Sequence, residues 1–471
     1  MSATIEADIC IIGAGSGGLS VAAGAAQLGR KVVLIEKTRM GGDCLNYGCV
    51  PSKALIAAAA RAQEMRDANA FGVKSVDPDI DFSAVMDHVH AVIAEIEPND
   101  SVERFEGLGV TVIRAAGEFI GPRTIKAGES EIKAKHIVIA TGSSPFAPPI
   151  PGLNDVSYLT NETIFENRAR PDHLIVLGGG PIGVELAQAH RRLGSAVTIV
   201  EADALLNRDD PEAVEIVRAR LKKEGVALRE KSKAVRAEQT DGRIRLTLDD
   251  GAAIEGSHLL VAVGRRANLS GLGLEKAGIE LDGGKLKLDA RLRTTNKRVY
   301  AIGDAAGGLQ FTHVAGDHAS TLVKNILFKA PAKRRDALAP RVTYCSPELA
   351  SVGISESDAK KSGTPHQIAR WSLEENDRAR AERDTQGFIK VLIGKGGRIL
   401  GATIVGEGAG DLIAPWALAI ANNLTIRAFT NMIAPYPTRS EISKRAAGAY
   451  YTPSLFSART RRLIGFLATF D

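Results

Sequence analysis

A glycine-rich segment that occurs twice decides the fold of this chain. Its first copy is IIGAGSGGLSVAAGAAQLGRKVVLIEK, residues 11–37, and its second, 165 positions later, is VLGGGPIGVELAQAHRRLGSAVTIVEA, residues 176–202. Each copy has the pattern of an apolar strand, a glycine turn, an alanine-rich helix closed by glycine, and a second apolar strand that ends in glutamate. The repeat therefore predicts two copies of one strand–helix–strand unit.

The glycine spacing within each copy is that of a dinucleotide-binding turn. The first copy has Gly13, Gly15 and Gly18 with Glu36, and the second has Gly178, Gly180 and Gly183 with Glu201. In such a turn the glycines permit a tight bend, close approach of a pyrophosphate to the backbone, and packing of the helix on the strand. The free N–H groups at the helix N-terminus favour the anion, and the glutamate can accept hydrogen bonds from a ribose. Two motifs predict two bound dinucleotides.

Three later strand endings organise the rest of the chain. HIVIATGSSP (136–145) and HLLVAVGRRAN (258–268) each read as an apolar strand that ends in glycine, as if leaving a nucleotide domain. A third strand ends at Asp304, which would either lie at the ligand-binding edge of a parallel sheet or cap a helix. We expect an α/β protein in which residues 1–147 and 268–338 form one nucleotide domain. Residues 148–267 would form the second, and residues 339–471 an α+β domain.

Composition and charge narrow the class of protein. Apolar residues make up 44% and charged residues 24% of the 471, which is typical of a globular protein. The net charge of +5 is spread along the chain, so we expect no nucleic-acid partner. No apolar run approaches the ~18 residues that span a bilayer, and an apolar strand follows the N-terminus too soon for a signal peptide. A cytoplasmic location is the expectation.

Two of the four cysteines lie in MGGDCLNYGCVPSKALIAAA, residues 40–59. Cys44 and Cys49 could bind zinc, but zinc needs further cysteine or histidine ligands, and no second pair follows. A purely structural disulfide is uncommon in the cytosol. The sequence after Cys49 looks helical, with Pro51 in its first turn, so the helix dipole and Lys53 would favour a Cys49 thiolate. Redox chemistry is the favoured interpretation, and we predict no metal site.

Taken together, these motifs resemble the pyridine nucleotide-disulfide oxidoreductases, the flavoprotein family of dihydrolipoamide dehydrogenase, glutathione reductase and mercuric reductase. The stretch YCSPELASVG, residues 344–353, resembles the start of that family's dimerisation domain. The resemblance implies two Rossmann-like domains, one for FAD and one for NAD(P), and a C-terminal dimerisation domain. It implies an FAD site formed by Gly13, Gly15, Gly18, Glu36, Lys53, Gly117, Thr141, Gly142 and Asp304. It implies a nicotinamide site formed by Gly178, Gly180, Gly183, Glu185, Glu201 and Gly264.

The resemblance also implies the roles of the reactive groups. NADH reduces the flavin, and the flavin reduces a Cys44–Cys49 disulfide, in which Cys49 is the sulfur next to the flavin and Cys44 attacks the acceptor. Glu185 is the expected counter-ion of Lys53. The protein should be a homodimer in which the C-terminal residues of one subunit complete the active site of the other. Because Glu201 would repel a 2′-phosphate and EADALLN offers no arginine to hold one, NADH is favoured over NADPH.

One position departs from the family pattern. Members that use thiols have a histidine base five residues before a glutamate, whereas in IAPYPTRSEISKR the glutamate is Glu441 and the residue five before it is Tyr436. A phenol with a pKa near ~10 is protonated at neutral pH, so routine oxidation of dihydrolipoamide is in doubt. Glu441 could itself act as a base, or it could pair with Arg439, Lys444 or Arg445. A tyrosine at this place is similar to mercuric reductase, but this chain does not end in that family's cysteine pair.

The leading functional hypothesis is an NADH-linked reductase of a small disulfide or a thiol-bound metal. The alternatives are an NADH oxidase or quinone reductase that uses the flavin directly, and a non-enzymatic redox-sensing flavoprotein. The C-terminal tail has an amphipathic, basic pattern formed by Leu455, Phe456, Arg459, Arg461, Arg462, Leu463, Ile464, Phe466 and Leu467. Contact with a membrane surface would fit that pattern. Packing on the protein's own dimer is the favoured interpretation, so no membrane partner is expected.

Overall fold

The computed structural model of the chain describes residues 4–470. The strands of the N-terminal part are β1 (Thr4–Ile12), β2 (Val32–Ile35), β3 (Val110–Ile113), β4 (Gly117–Gly121), β5 (Thr124–Ala127), β6 (Ser130–Ile139) and β7 (Ser143–Pro145). Its helices are α1 (Ser16–Gln27), α2 (Gly42–Asn46), α3 (Cys49–Asp67), α4 (Phe82–Ile96) and α5 (Val102–Gly107).

The middle of the chain repeats this alternation. Its strands are β8 (Tyr158–Leu159), β9 (His173–Leu177), β10 (Ala196–Val200), β11 (Ala227–Arg229), β12 (Ala234–Thr240), β13 (Arg243–Leu248), β14 (Ala253–Gly256) and β15 (His258–Val261). Its helices are α6 (Pro181–Arg192) and α7 (Pro211–Lys223). The chain then continues through β16 (Arg265–Ala267), β17 (Leu281–Asp282), β18 (Lys285–Leu286), β19 (Val299–Ala301) and α8 (Thr312–Ile326).

The C-terminal part is built on antiparallel strands. These are β20 (Arg341–Thr343), β21 (Glu348–Gly353), β22 (Gln367–Ser372), β23 (Phe388–Ile393) and β24 (Ile399–Gly406). Its helices are α9 (Glu356–Lys361), α10 (Asp377–Ala381), α11 (Ala409–Leu412), α12 (Ala414–Ala421), α13 (Arg427–Asn431), α14 (Glu441–Leu455) and α15 (Ala458–Leu467). Short 3₁₀ helices lie at Ala68–Phe71, Glu97–Asp100, Leu153–Asp155, Ile164–Glu166, Leu274–Ala277, Gly303–Ala306, Asp336–Leu338, Leu373–Glu375, Lys395–Gly397 and Ala468–Phe470.

The two parallel sheets show that the sequence repeat is a structural repeat. In the first sheet, β3, β2, β1 and β6 are parallel neighbours in that order, and β19 is parallel to β6. In the second, β11, β10, β9, β15 and β8 have the same parallel arrangement. The helices α1 and α6 have equal length and begin 165 positions apart. The fold is therefore α/β with two doubly wound sheets, followed by an antiparallel C-terminal sheet of order β20-β21-β24-β23-β22.

A short antiparallel ribbon connects the two parallel sheets. β7 pairs with β16, with Pro145 opposite Arg265 and Ser143 opposite Ala267. β7 follows the last long strand of the first sheet, and β16 follows the last strand of the second. This ribbon therefore carries the chain out of one sheet and back from the other. It lies beside residues 40–49, the cysteine loop, which Arg265 of β16 contacts at Asp43.

Helix α3, which begins at Cys49, is held among three parts of the chain. Leu55 of α3 and Met86 of α4 belong to the same buried apolar cluster as Val184 of α6 and Phe388 of β23. All four residues are fully buried, with 0% of their surface exposed. Because these contacts come from the second sheet and the C-terminal sheet as well, the start of α3 has a fixed position between them.

The C-terminal tail leaves its apolar residues at the surface of a single chain. Helix α15 contains no buried residue. Phe456, Phe466 and Phe470 are 62%, 60% and 73% exposed. Packing of this tail on a second subunit stays a prediction. Among residues 4–470, no helix combines the length and the apolar composition needed to cross a membrane.

The third glycine of each repeat is required by packing. A Cβ at Gly18 or Gly183 would lie 2.0 Å from the carbonyl oxygen of Gly13 or Gly178, whereas a Cβ at Gly180 would meet no atom within 4 Å. The clash is with backbone, so the helix itself would have to move.

We expect Gly183→Ala to lower the thermal midpoint of unfolding, because a methyl group cannot be accommodated between α6 and β9. The free energy of unfolding should fall by about 1–3 kcal/mol or more. Gly180→Ala is the matched control and should unfold like the wild type. Far-UV circular dichroism during heating measures both. Equal midpoints for the two variants would contradict this account of the repeat.

Candidate active site

One continuous cleft of about 2160 Å³ runs past both glycine turns. The cysteine loop and the start of the C-terminal sheet also line it. The predicted site residues that line this cleft are Gly13, Gly15, Glu36, Cys44, Cys49, Lys53, Gly117, Thr141, Gly142, Gly178, Gly180, Glu185, Glu201, Gly264 and Asp304. Gly18 and Gly183 lie beneath the turns, and Tyr436 and Glu441 do not line the cleft. The structure thus brings most of the predicted site together within one chain.

The first glycine turn has room for a phosphate and does not have room for a side chain in its bend. Gly13 has φ +109°, and a Cβ there would lie 2.3 Å from the carbonyl oxygen of Ala140. At Gly15 the nearest atom to a Cβ is 3.9 Å away, in Gly42. No side chain caps the N-terminus of α1. Its free N–H groups therefore fit an anionic pyrophosphate, as an FAD site requires.

The second turn repeats this geometry. Gly178 has φ +115°, and a Cβ there would lie 2.5 Å from the carbonyl oxygen of Ala262. Gly180 faces open space, and α6 also begins without a side-chain cap. This turn fits the pyrophosphate of a second dinucleotide for the same reason.

The acidic residue of each repeat fixes its own turn. Glu36 accepts hydrogen bonds from the backbone N–H groups of Ala14 and Thr38, both at 2.7 Å. Glu201 accepts in the same way from Gly179 at 2.6 Å and Asp203 at 2.9 Å. A carboxylate oxygen can accept more than one hydrogen bond, so both groups keep acceptor capacity for a ribose.

The remaining predicted cofactor residues line other parts of the cleft. Gly142 and Gly264 have positive φ values of +67° and +136° and no atom within 4 Å of a Cβ, so their backbones are open to the cleft. The Thr141 hydroxyl donates to the carbonyl of Asn268 at 2.7 Å, which holds the chain on its way back from the second sheet. Gly117 packs beneath the first turn, where a Cβ would lie 3.2 Å from Ile12.

The cysteine loop rests directly on the first glycine turn. Gly41 and Gly42 have φ values of +84° and +59°, and the backbone N–H of Gly41 donates to the carbonyl of Ala14 at 2.9 Å. A Cβ at Gly42 would lie only 2.6 Å from the Cα of Gly15. Two consecutive glycines are therefore needed for Cys44 to reach the turn that fits a dinucleotide.

The two cysteines have different environments. Cys49 is the first residue of α3, faces the cleft, and lies 3.3 Å from the Thr312 hydroxyl. The hydrogen bond from Cys44 lowers the pKa of Cys49 to about 6, assisted by Thr312 and by the charge of Lys53. The same hydrogen bond, together with burial, raises the pKa of the Cys44 thiol. The reduced pair is therefore a thiol beside a thiolate at neutral pH.

The structure pairs Lys53 with Glu185, as the resemblance implies. Lys53 Nζ lies 2.7 Å from Glu185 Oε2, and the Glu185 side chain is only 7% exposed. The other oxygen of Glu185 accepts from the backbone N–H of Tyr344 at 2.9 Å, and the Lys53 ammonium lies 4.3 Å from the centre of the Tyr344 ring. This pair ties the cysteine helix to the second sheet and to the C-terminal part.

Tyr436 and Glu441 point to other partners within the chain. The Tyr436 hydroxyl donates to Asp377 Oδ2 at 3.0 Å, and the tyrosine is 68% exposed. That hydrogen bond raises the pKa of Tyr436, so the phenol stays protonated at neutral pH. Glu441 forms an ion pair with Arg445 at 2.7 Å, which is one of the pairings that the sequence left open.

Several contacts of the two cysteines and of Lys53 were not identified from the sequence. Thr312 and Tyr344 are far from Cys49 in the chain, and nothing in their local sequence marks them as partners. Asp43 is next to Cys44, and its charge is the signal in the sequence that could have identified it as part of the site. Cys10 and Cys345 are buried, and burial raises the pKa of Cys10 to about 12.

Comparisons with known proteins agree with this geometry. Residues 7–319 match the model of the pyridine nucleotide-disulphide oxidoreductases, and residues 339–447 match that family's dimerisation domain. The chain is 36% identical to a mercuric reductase of Streptomyces lividans, covering 94% of this chain and 96% of that protein. It is 35% identical to a dihydrolipoyl dehydrogenase of Geobacillus stearothermophilus, with the same coverage.

Two solved structures have the same fold over nearly their whole length. LpdA from Mycobacterium tuberculosis has a TM-score of 0.88 at 30% identity, covering 95% of this chain and 99% of that one. The HOCl-induced flavoprotein disulfide reductase RclA from Escherichia coli has a TM-score of 0.84 at 28% identity, covering 94% and 99%. The chain belongs to the pyridine nucleotide-disulphide oxidoreductases. It is an FAD-dependent oxidoreductase of a family that also binds a pyridine nucleotide, and its dimerisation domain supports a homodimer.

The pKa of Cys49 gives a pH dependence with a defined sign. Because this pKa is lowered to about 6, the thiolate is present above that pH and is protonated below it. Iodoacetamide should therefore alkylate Cys49 of the reduced enzyme at a rate that falls about tenfold per pH unit below 6. Mass spectrometry of the proteolysed enzyme locates the modified cysteine.

The control for this experiment is Lys53→Met, which removes a positive charge and should move the midpoint to higher pH. Cys345 in the same samples should stay unmodified, because burial raises its pKa. A wild-type midpoint near 8.5, the ordinary value for a thiol, would contradict the electrostatic account of the site.

Proposed function

We propose that this enzyme uses NADH to reduce a Cys44–Cys49 disulfide, and that the resulting dithiol reduces a small disulfide or a thiol-bound metal. The observation that carries the proposal is the position of the two cysteines. They lie on the cleft between two dinucleotide turns, in a loop that contacts the first turn, with a thiolate favoured at Cys49. Bound FAD would supply the transfer of an electron pair from the nicotinamide to the disulfide.

The two sulfurs have different roles in this proposal: Cys44 attacks the acceptor, and Cys49 then restores the disulfide. Reduction breaks the Cys44–Cys49 bond and adds two electrons. The Cys44 sulfur then attacks one sulfur of the acceptor disulfide, forms a mixed disulfide and releases the first product thiol. The first product takes up the proton that Cys44 gave to Cys49. The Cys49 thiolate then attacks Cys44, which restores the starting disulfide and releases the second product as a thiolate that the solvent protonates.

The hydrogen bond between the cysteines helps the attack without a histidine. Cys44 has a raised pKa and donates to Cys49, whose pKa is about 6. The proton that Cys44 loses on attack therefore has an acceptor within the pair. Tyr436, which is protonated and bonded to Asp377, does not offer one in the single chain. In this proposal the Cys49 thiolate therefore takes the place of a separate general base.

A thiol-bound soft metal ion fits the same pair of groups. Thiolates are preferred ligands of soft metals, and Cys44 and Cys49 could both coordinate an ion displaced from its carrier thiol. The relatives include both mercuric reductases and dihydrolipoyl dehydrogenases at similar identity, which supports either acceptor class. In a homodimer, Tyr436 and Glu441 of one subunit would complete the other subunit's site.

NADH is the proposed donor because of Glu201. Its carboxylate lies at the end of β10, on the backbone of the second glycine turn, and would repel a 2′-phosphate. Arg208, the residue after EADALLN, also lines the cleft. The proposed preference for NADH is therefore based on the charge of Glu201 and not on the lack of a nearby arginine.

We expect kcat/KM for NADH to exceed that for NADPH by about tenfold or more, since a like charge close to the phosphate disfavours binding. Glu201→Gln should narrow this ratio, because the amide keeps the size of the side chain and loses its charge. Steady-state kinetics with each nucleotide measure the ratio. A wild-type preference for NADPH would contradict the assignment of Glu201.

The acceptor is tested by rapid mixing without oxygen. The enzyme is first reduced with NADH and then mixed with oxidised lipoamide or with a mercury–thiol complex, while the absorbance of the flavin reports reoxidation. We expect fast reoxidation by at least one of them, and a loss of about 10²-fold or more in Cys44→Ser. Cys345→Ser, which removes a buried thiol outside the cleft, should react like the wild type.

Each outcome of that experiment decides between functions. Fast reoxidation by lipoamide identifies a disulfide reductase, and fast reoxidation by mercury alone identifies a metal reductase. If Cys44→Ser reacts as fast as the wild type, or if only oxygen or a quinone reoxidises the enzyme, electrons leave without the dithiol and the proposal is wrong.

A further inference from the structure

Arg265 occupies the centre of a polar network next to the cysteine loop. Its side chain is 10% exposed, and it lies on β16 of the ribbon between the two parallel sheets. The guanidinium donates to Asp43 Oδ1 at 2.9 Å and to Asn161 Oδ1 at 3.0 Å. It also donates to the hydroxyl of Ser143 at 2.8 Å and to its carbonyl at 2.7 Å. Four directed bonds from one rigid group fix its position.

The network reaches the cofactor side of the cleft as well. Ser143 donates to Asp304 Oδ2 at 2.5 Å, and that oxygen lies 4.0 Å from Arg265 Nε. Burial raises the pKa of Asp304. Arg265 therefore lies between two carboxylates, one proposed to contact FAD and one in the cysteine loop.

Asp43 is the point at which the network holds the cysteine loop. It is the residue before Cys44, in helix α2. Besides the bond from Arg265, its Oδ1 accepts from Asn161 Nδ2 at 3.0 Å, and Asn161 also donates to the carbonyl of Tyr47 at 3.2 Å. The loop is thus attached at both Asp43 and Tyr47 to residues of other segments.

We propose that Arg265 is a positioning residue for the dithiol: it anchors the cysteine loop through Asp43 and neutralises the carboxylate of this residue, which directly precedes Cys44. This inference rests on the proposed redox role of Cys44 and Cys49. Arg265 itself makes no contact with either sulfur and acts through Asp43.

The charge of Asp43 matters because Cys49 must be a thiolate. Asp43 opposes the thiolate, whereas Lys53 and the hydrogen bonds from Cys44 and Thr312 favour it. The titratable and charged groups that face Cys49 are Cys44 and Asp43 from α2, Lys53 from its own helix, Glu185 from α6 behind Lys53, His313 beside Thr312 on α8, and Tyr344 after β20. Without Arg265, Asp43 would keep the neutral amide of Asn161 as a hydrogen-bond donor, but its charge would act on Cys49 without the opposing guanidinium.

The test is the pH profile of Cys49 alkylation in the anaerobically reduced holoenzyme. We expect Arg265→Met to raise the midpoint by about 1 pH unit, which means about tenfold less thiolate below the midpoint. Asp43→Asn should lower the midpoint, and the double variant should return close to the wild type. Arg265→Lys keeps the charge and should stay near the wild type.

The matched control is Arg266→Met on the next residue. The Arg266 guanidinium lies 3.7 Å from the centre of the Phe146 ring and is exposed. Its removal should leave the midpoint unchanged. If Arg265→Met is too unstable to purify, the downward shift in Asp43→Asn and the near-wild-type midpoint of Arg265→Lys still decide the question.

Two results would overturn the inference. One is a midpoint that moves no more in Arg265→Met than in Arg266→Met. The other is a double variant that is displaced further from the wild type than either single variant, as expected if the loop were only disordered. Failure of the proposed function looks different: NADH would not reduce the Cys44–Cys49 disulfide of the wild type, whatever the alkylation midpoints were.

Discussion

The site depends on the contact between the cysteine loop and the first glycine turn. Gly42 lies so close to Gly15 that it cannot carry a side chain, and a backbone hydrogen bond from Gly41 to Ala14 fixes the separation. A dinucleotide at that turn and a dithiol on that loop must then lie side by side. The other features of the site either support this contact or tune the sulfurs that it places.

Helix α3 transmits the constraint to the rest of the chain. It begins at Cys49, presents Lys53 to Glu185 one turn later, and buries Leu55 in a cluster shared with the second and third sheets. The two glycine turns open onto one cleft because the loop that leads into α3 contacts the first turn, while α3 itself packs against the second sheet. In this arrangement the pKa of Cys49 and the position of the second glycine turn depend on one set of contacts.

Much of this could be predicted from the sequence, because the repeat is a local pattern with a physical cause. Gly13 and Gly178 require positive φ, and Gly18 and Gly183 lack room for a methyl group, so the motif specifies strand, turn and helix together. The start of a helix at Cys49 followed from Pro51 in the same way.

The parts that could not be predicted depend on long-range contacts. Thr312 approaches Cys49 from 263 residues away, and Arg265 reaches Asp43 across 222 residues. Nothing in the sequence around Tyr436 specifies that its hydroxyl bonds to Asp377, because that bond depends on the packing of the C-terminal segment against α10. Local patterns predicted the elements and the resemblance implied the Lys53–Glu185 pair, but neither indicated the contacts of Thr312, Arg265 and Asp377.

The central claim is that the two cysteines exchange electrons with the flavin, and an anaerobic titration with NADH tests it most directly. The wild-type enzyme should take up about twice as many reducing equivalents per bound FAD as Cys44→Ser, because the disulfide stores a second electron pair. Equal uptake by the two proteins would mean that Cys44 and Cys49 are not part of the electron path.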